Sequence, residues 1–407
     1  MKCRHCHSPV SLELVDLGTA PPSNAYLTRE QLNAPERFYP LKVLVCESCW
    51  LAQTQDFSRA EELFDDNYAY FSSYSSTWLE HAKNYVESIS PRLGLGKTSL
   101  VMEVAANDGY LLQFFQQRGV PCFGVEPTKS TADVARLKGL DIVGEFFGQE
   151  VARSLAHTRG KVDLALGNNV LAHVPDINNF VAGFSQILKP KGVLTLEFPH
   201  LLKLIQLSQF DTIYHEHYSY LSLGSVHSIL RSEGLTVFDV EQLPTHGGSL
   251  RVYAQLSETG DYPISANVER LIEQETRFGL TVPGTYRDFS EKTLEIKLDL
   301  LRALVKAKSE GKRIVAYGAA AKGNTLLNYA GIGADIIDYV VDRNPHKQGR
   351  FMPGSRIPIV AGFATPEPDI VLILPWNIKD EIVASLEGVL SPSVCYWTCN
   401  NLPGSRQ

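Results

Sequence analysis

The sequence predicts an α/β protein in three parts: a small metal-binding N-terminal domain, a central doubly wound parallel sheet, and a second, smaller α/β unit at the C-terminus. Three observations carry this reading. Two C-x-x-C pairs, Cys3/Cys6 and Cys46/Cys49, frame the first part. From about Ser99, strands and helices alternate as a parallel sheet with crossover helices requires. A further strand, turn and helix begin at Arg313. The expected boundaries are 1–65, 66–285 and 286–407.

A chain of 407 residues exceeds one compact core and fits two or three domains. Hydrophobic residues make up 44% and charged residues 20%, as in soluble globular proteins. No apolar run reaches the ~18 residues of a spanning helix. The opening MKCRHC lacks the basic-then-apolar pattern of a secretion signal, so the cytoplasm is the expected location. A net charge of -7 argues against attraction to nucleic acid or an anionic membrane, though a local basic patch could hold a phosphorylated small molecule.

In the first part, each C-x-x-C can form a knuckle whose two thiolates face one ion. Two knuckles then supply four sulfurs to zinc tetrahedrally. Such a closed site has no open position, so the metal is structural. The long insert between the pairs should have structure of its own. His5 and His7 read as surface residues, and Cys122, Cys395 and Cys399 as core or surface thiols without a partner spacing.

The central part opens with "SLVMEVAANDGYLLQFFQQRG", a strand, a small-residue turn and a helix with Leu111, Leu112 and Phe115 on one face. Strands follow in "PCFGVEP", "VDLALGNN" and "KGVLTLEFPH", with ligands expected at their carboxyl ends. The turn Glu103-Val104-Ala105-Ala106-Asn107-Asp108-Gly109 has one glycine where a dinucleotide site would show G-x-G-x-x-G. An acidic, small-residue turn suits the cationic methionine part of S-adenosylmethionine better than a pyrophosphate. Glu126, ending the next strand, can accept the ribose hydroxyls; Asn168 and Asn169 end the third. Phe146 and Phe147 either flank the adenine or belong to the core. Order and spacing together resemble a class I methyltransferase.

The stretch "DTIYHEHYSYLS", Asp211 to Ser222, lies between a short apolar helix and a helix over Leu223 to Ser232. His215 and His217 could bind a metal, the cluster could be structural, or it could be catalytic. A histidine titrates near neutrality and serves as a base. A tyrosine hydroxyl can stabilise a developing oxyanion, and a glutamate can orient the histidine. That set suits removal of a proton α to a carbonyl.

The cysteine pairs, "EVAANDGYLL", "GNNVLAHVPD", "YHEHYSYLS" and "HGGSLRVY", in this order over almost the whole chain, resemble the nucleotide-sugar C-methyltransferases. Best understood in that family are enzymes that methylate C-3 of TDP-4-keto-deoxysugars. The resemblance implies His217 as the base, Tyr214 at the 4-keto oxygen, Glu216 as orienter of His217, and His173 beside the methyl donor. It also implies a tyrosine from the connection out of the first domain, Tyr68 or Tyr70. The sugar would lie between the first two domains.

The last part opens with a helix expected to present Leu294, Leu298, Leu301 and Val305 as its apolar stripe. The strand ending at Tyr317 enters the turn Gly318 to Asn324, a Rossmann-type arrangement with the wrong glycine spacing for a dinucleotide. Amides at a helix start plus a lysine suit a diphosphate. The resemblance places the nucleotide sugar here, so Lys322, Asn324, Lys347 and Arg350 are the expected contacts, with Arg251 a further anion contact. The expected enzyme is a monomeric C-methyltransferase using S-adenosylmethionine and structural zinc on a TDP-linked sugar. Heteroatom methylation, or a zinc-module binding protein without catalysis, are the rival readings.

Overall fold

Val101–Val104 is the pivot of a seven-stranded sheet in the computed structural model, which describes residues 1–57 and 71–402. Its strands are β1 (Val101–Val104), β2 (Cys122–Val125), β3 (Ile142–Val143), β4 (Val162–Asn168), β5 (Leu188–Pro199), β6 (Leu235–Leu243) and β7 (Ser249–Leu256). The order is β6-β7-β5-β4-β1-β2-β3. β1 pairs parallel with β2 on one side and β4 on the other. The chain therefore walks out to β3 and returns across β1. The crevice beyond the carboxyl ends of β1 and β4 is the place where such sheets bind ligands. β7 runs antiparallel to both β5 and β6, a departure from the all-parallel sheet expected.

The helices that cover this sheet follow from spacing. Ser76–Leu93 buries Trp78, Ala82, Tyr85, Val86 and Ile89, one face at helical period. Ser75 caps it by accepting from the Trp78 amide, and Gly94 in the left-handed region ends it. Together with Leu112 and Phe115 these side chains form one core.

Two compact units divide the chain. The first comprises Met1–Ser11, Val45–Lys203 and Tyr218–Thr281; the second comprises Leu12–Leu44, Leu204–His217 and Val282–Gln407. This differs from three consecutive segments: the insert between the knuckles, with its strands Leu12–Ala20 and Tyr39–Val45, belongs almost wholly to the second unit. The second unit holds a parallel sheet of β8 (Ile314–Tyr317), β9 (Val340–Val341), β10 (Ile359–Val360), β11 (Ile370–Ile373) and β12 (Cys395–Trp397). Its order is β10-β9-β8-β11-β12.

The long helix Pro283–Ser309 corrects the expected stripe. Leu294, Leu298 and Val305 are exposed, by 49%, 40% and 54%. The buried face is Tyr286, Phe289, Thr293, Ile296, Leu300, Leu304 and Ala307, packed toward strand Leu12–Ala20 and helix Ala321–Ala330. Two apolar rows at helical spacing lie side by side, and the row that begins with two aromatic residues has the larger area to bury. Among the described residues no helix is long and apolar enough to cross a membrane.

Candidate active site

The four knuckle cysteines converge. Their sulfurs all lie within 4.8 Å of one another, with Cys3 3.6 Å from Cys49 and Cys6 3.5 Å from Cys46. None is in a disulfide. The Cys49 thiol draws Cys3 down to about 4, while the same contact pushes Cys49 up. A dication in place of the shared protons relieves that conflict, so the set fits a tetrahedral thiolate site. Among the described residues no other group of three or more His, Cys, Asp or Glu side chains converges this way, so His215 and His217 form no metal site there. His5 is not a surface residue as expected: it is buried and bonded to Asn178 and Ser228. His7 is exposed.

At the crevice of the first unit, the turn after β1 is built from left-handed backbone at Ala105, Asn107 and Gly109. Gly109 has φ +77°, a conformation strained for any side chain, and a Cβ there would also stand 2.1 Å from Leu140 Cδ1. Glu103 is fully buried, and within the described residues neither of its carboxylate oxygens has a hydrogen-bond partner. Burial pushes its carboxyl well above the usual range, and the charges of Glu126 and Asp108 add to this. Both side-chain polar atoms of Asn168 are likewise buried and unmatched among the described residues. Buried polar groups of this kind mark where a polar ligand belongs. Glu126 holds the turn, accepting from the Asn107 amide and the Thr128 amide at 2.9 Å each, and keeps further lone pairs for hydroxyl groups. The Asn107 side chain accepts from the Ser72 amide at 2.9 Å. These residues fit the ammonium and ribose of S-adenosylmethionine. Phe147 packs on Phe180 and Phe184 in the core, whereas Phe146 is 48% exposed. Asn169, left-handed at the end of β4, donates to the His246 ring at 3.1 Å. His173 closes the short turn Leu171–His173 that follows.

The sequence reading missed a network beside this crevice. Glu197 of β5 lies 2.8 Å from His81 Nε2 and 2.7 Å from Arg251. Burial opposes ionisation of Glu197, but the His81 hydrogen bond and the Arg251 charge hold its carboxyl below the usual value. Trp78 stacks on His81 and meets His246 edge-on. His81, on helix Ser76–Leu93, had no motif to mark it. Arg251, expected to meet an anion, is instead buried against Glu197 and Glu241.

In the second unit, Tyr214 to His217 form a tight turn, the His217 amide donating to Tyr214 O at 2.9 Å. The Tyr214 and His217 rings lie 4.0 Å apart. His217 Nδ1 is 2.9 Å from Thr212 O. A carbonyl only accepts, so Nδ1 carries the proton and the basic lone pair of the neutral ring is on Nε2. The main-chain carbonyl of Thr212 thus helps to orient His217, and Glu216, expected in that role, accepts from Asn24 Nδ2 at 3.1 Å. Burial raises the Glu216 carboxyl and lowers His215, whose ring lies against Tyr39 O and Pro40 O.

Also in this unit, Lys322 Nζ lies over the Trp376 ring and donates to Asn377 at 2.7 Å. Trp376 donates to Asp211, which burial pushes up to about 6. Lys347 donates to Ala319 O at 2.8 Å, and Arg350 is exposed. Asn324 is buried and donates to Ser23 O, so its amide is committed inside the fold and not turned to a phosphate. Tyr68 and Tyr70 lie outside the described residues.

Family models match along the chain in sequence: a zinc binding domain over residues 3–64, a methyltransferase domain over 78–240, and a C-methyltransferase C-terminal domain over 244–394. C-methyltransferase NovU of Streptomyces niveus is 34% identical over 387 residues, 94% of this chain and 91% of that protein. A ubiquinone biosynthesis O-methyltransferase of Bordetella avium (strain 197N) is 26% identical over 134 residues, 30% of this chain and 56% of that protein. Among solved structures, the 1,6-didemethyltoxoflavin-N1-methyltransferase of Burkholderia thailandensis is 19% identical, with a TM-score of 0.37 over 51% of this chain and 95% of that one, a likeness too weak to carry weight. The NovU match covers 94% of this chain and 91% of that protein, and with the three family models it shows that this chain belongs to the S-adenosylmethionine-dependent C-methyltransferases that carry a structural zinc.

Proposed function

We propose that the enzyme methylates C-3 of a TDP-linked 4-keto-deoxysugar. The observation that supports this most is the His217 tautomer fixed by Thr212 O. A base whose lone pair is held on Nε2 matches proton removal from carbon, a step that heteroatom methylation does not need. His217 takes the C-3 proton, and the electron pair moves onto the 4-keto oxygen, where the Tyr214 hydroxyl donates to the growing charge. S-adenosylmethionine supplies the methyl group that ends on C-3. His217 then returns its proton to solvent. His173 serves on the side of the methyl donor, and Glu103, Glu126 and the turn between Ala105 and Gly109 hold that donor. Lys322 and Lys347 are the cations we assign to the diphosphate, with Arg350 at the exposed rim. The three functional segments are 1–65, 66–285 and 286–407. The working form is one chain in the reducing cytoplasm, with a nucleotide sugar as partner and neither nucleic acid nor membrane.

Solvent deuterium exchange at C-3, followed by NMR with and without the methyl donor, tests the assignment. Wild type should exchange the C-3 proton, and His217→Asn should slow exchange and methylation together by about 100-fold or more. Methyl transfer that survives in His217→Asn would point to a heteroatom acceptor instead.

A further inference from the structure

The residues between the first two cysteines, Arg4 and His5, face into the first unit and not toward water. The Arg4 side chain is 7% exposed. Its Nη1 donates to Pro175 O at 2.8 Å, and its Nη2 donates to Thr54 O at 2.8 Å. Asp56, itself half exposed, is the one acidic side chain within 4 Å of it among the described residues, so the guanidinium fork is used mainly on main-chain carbonyls. Above it lies the ring of Tyr218, 5.4 Å away, the residue that follows His217 in the chain. The Tyr218 amide donates to Ala172 O at 2.8 Å, and its carbonyl accepts from Thr54.

His5 grips the same loop further on. Its Nδ1 is 2.9 Å from Asn178 Oδ1, and Asn178 Nδ2 donates back to His5 O at 2.9 Å. The loop from Ala172 to Asn178 is thereby tied at three points, and His173 lies between the first and second. Arg4 itself is fixed by Cys3 and Cys6 on either side and by its amide, which donates to Gln53 Oε1 at 2.9 Å. Gln53 in turn donates to Cys3 Sγ at 3.3 Å.

We propose that Arg4 and His5 are positioning residues, through which the metal knuckle sets the register of the His173 loop against Tyr218. The knuckle then has a part in catalysis that stability alone would not give it. This rests on the C-methylation reading for its kinetic arm only. None of the ties requires either side chain to touch substrate or methyl donor.

The test uses the full-length, zinc-loaded chain with Arg4→Met, Arg4→Lys and Asn178→Ala, each checked for one zinc per chain. Amide exchange of Tyr218, measured without any substrate, should speed up by roughly 10-fold or more in Arg4→Met, with partial protection regained in Arg4→Lys. On a TDP-4-keto-deoxysugar, kcat should fall about 10-fold or more in Arg4→Met while KM moves less than about twofold. Unchanged Tyr218 exchange in zinc-replete Arg4→Met, or a fall in kcat matched by an equal rise in KM, overturns the proposal. Should Arg4→Met lose its zinc, Asn178→Ala decides, because that side chain lies outside the knuckle: wild-type exchange over Ala172 to Asn178 and wild-type kcat would refute the tie. If wild type turns over no keto-sugar, the C-methylation reading falls while the exchange arm still decides the register.

Discussion

Glu103 combines full burial, two unmatched carboxylate oxygens and two acidic neighbours, so in the free protein it keeps its proton above the ordinary carboxylate range. If Glu103 meets the ammonium of the methyl donor, as proposed, the ligand favours the ionised form and binding must expel that proton. Affinity for S-adenosylhomocysteine, which keeps the ammonium, should therefore rise with pH from about 4.5 upward through the raised pKa, by at most about tenfold per pH unit. Titration calorimetry across that range checks the slope, and Glu103→Gln should bind more weakly and show no slope. Glu103 was singled out by its place at the end of a strand before a small-residue turn, but its complete burial was not readable, since an acid there is as readily a solvated cap. His217 was singled out by its polar neighbours, but the group its Nδ1 donates to was not readable. The acceptor is a carbonyl five residues earlier, and main-chain atoms leave no mark on residue identity. Asn324 and Arg251 misled for the converse reason: a polar side chain looks the same in sequence whether it meets a ligand or a buried partner.

Helix Pro283–Ser309 shows what element-scale reading can and cannot decide. Its end before Gly311 was read from the sequence, whereas its start, with proline in the first turn, lies ahead of the expected boundary at 285/286. The choice between two parallel apolar rows depends on what packs against them, strand Leu12–Ala20 and helix Ala321–Ala330, and these are remote in sequence. Leu300→Ala or Leu304→Ala should cost about 2–5 kcal/mol, while Leu294→Ala and Leu298→Ala should stay within about 0.5 kcal/mol. Thermal melts of the four variants separate the rows, and equal costs would return the core to the outer stripe. The strands β1, β2, β4 and β5 were readable because each is apolar and followed by a helix. The antiparallel β7 was not, since direction is set by pairing with β5 and β6 and not by composition.

For the whole molecule, the metal site sits where the chain leaves one unit and comes back. Cys6 precedes the crossing at Ser11/Leu12, and Cys46 follows that at Leu44/Val45. Zinc thus closes a loop of about forty residues, which constrains the unfolded chain as a cross-link does. Chelation should lower the melting temperature measurably, and Cys46→Ser should do the same without added chelator; calorimetry with metal analysis checks both. The segment inside that loop also faces a wait during synthesis. Strand Leu12–Ala20 packs against a helix that begins at Pro283, so at ribosomal speed its neighbour arrives on the order of tens of seconds later. The four thiols are all available once Cys49 has emerged. An ion captured then would moor both ends of a nascent apolar segment long before the rest of its fold exists, so metal present during synthesis should raise the yield of folded chain as well as the endurance of the finished enzyme.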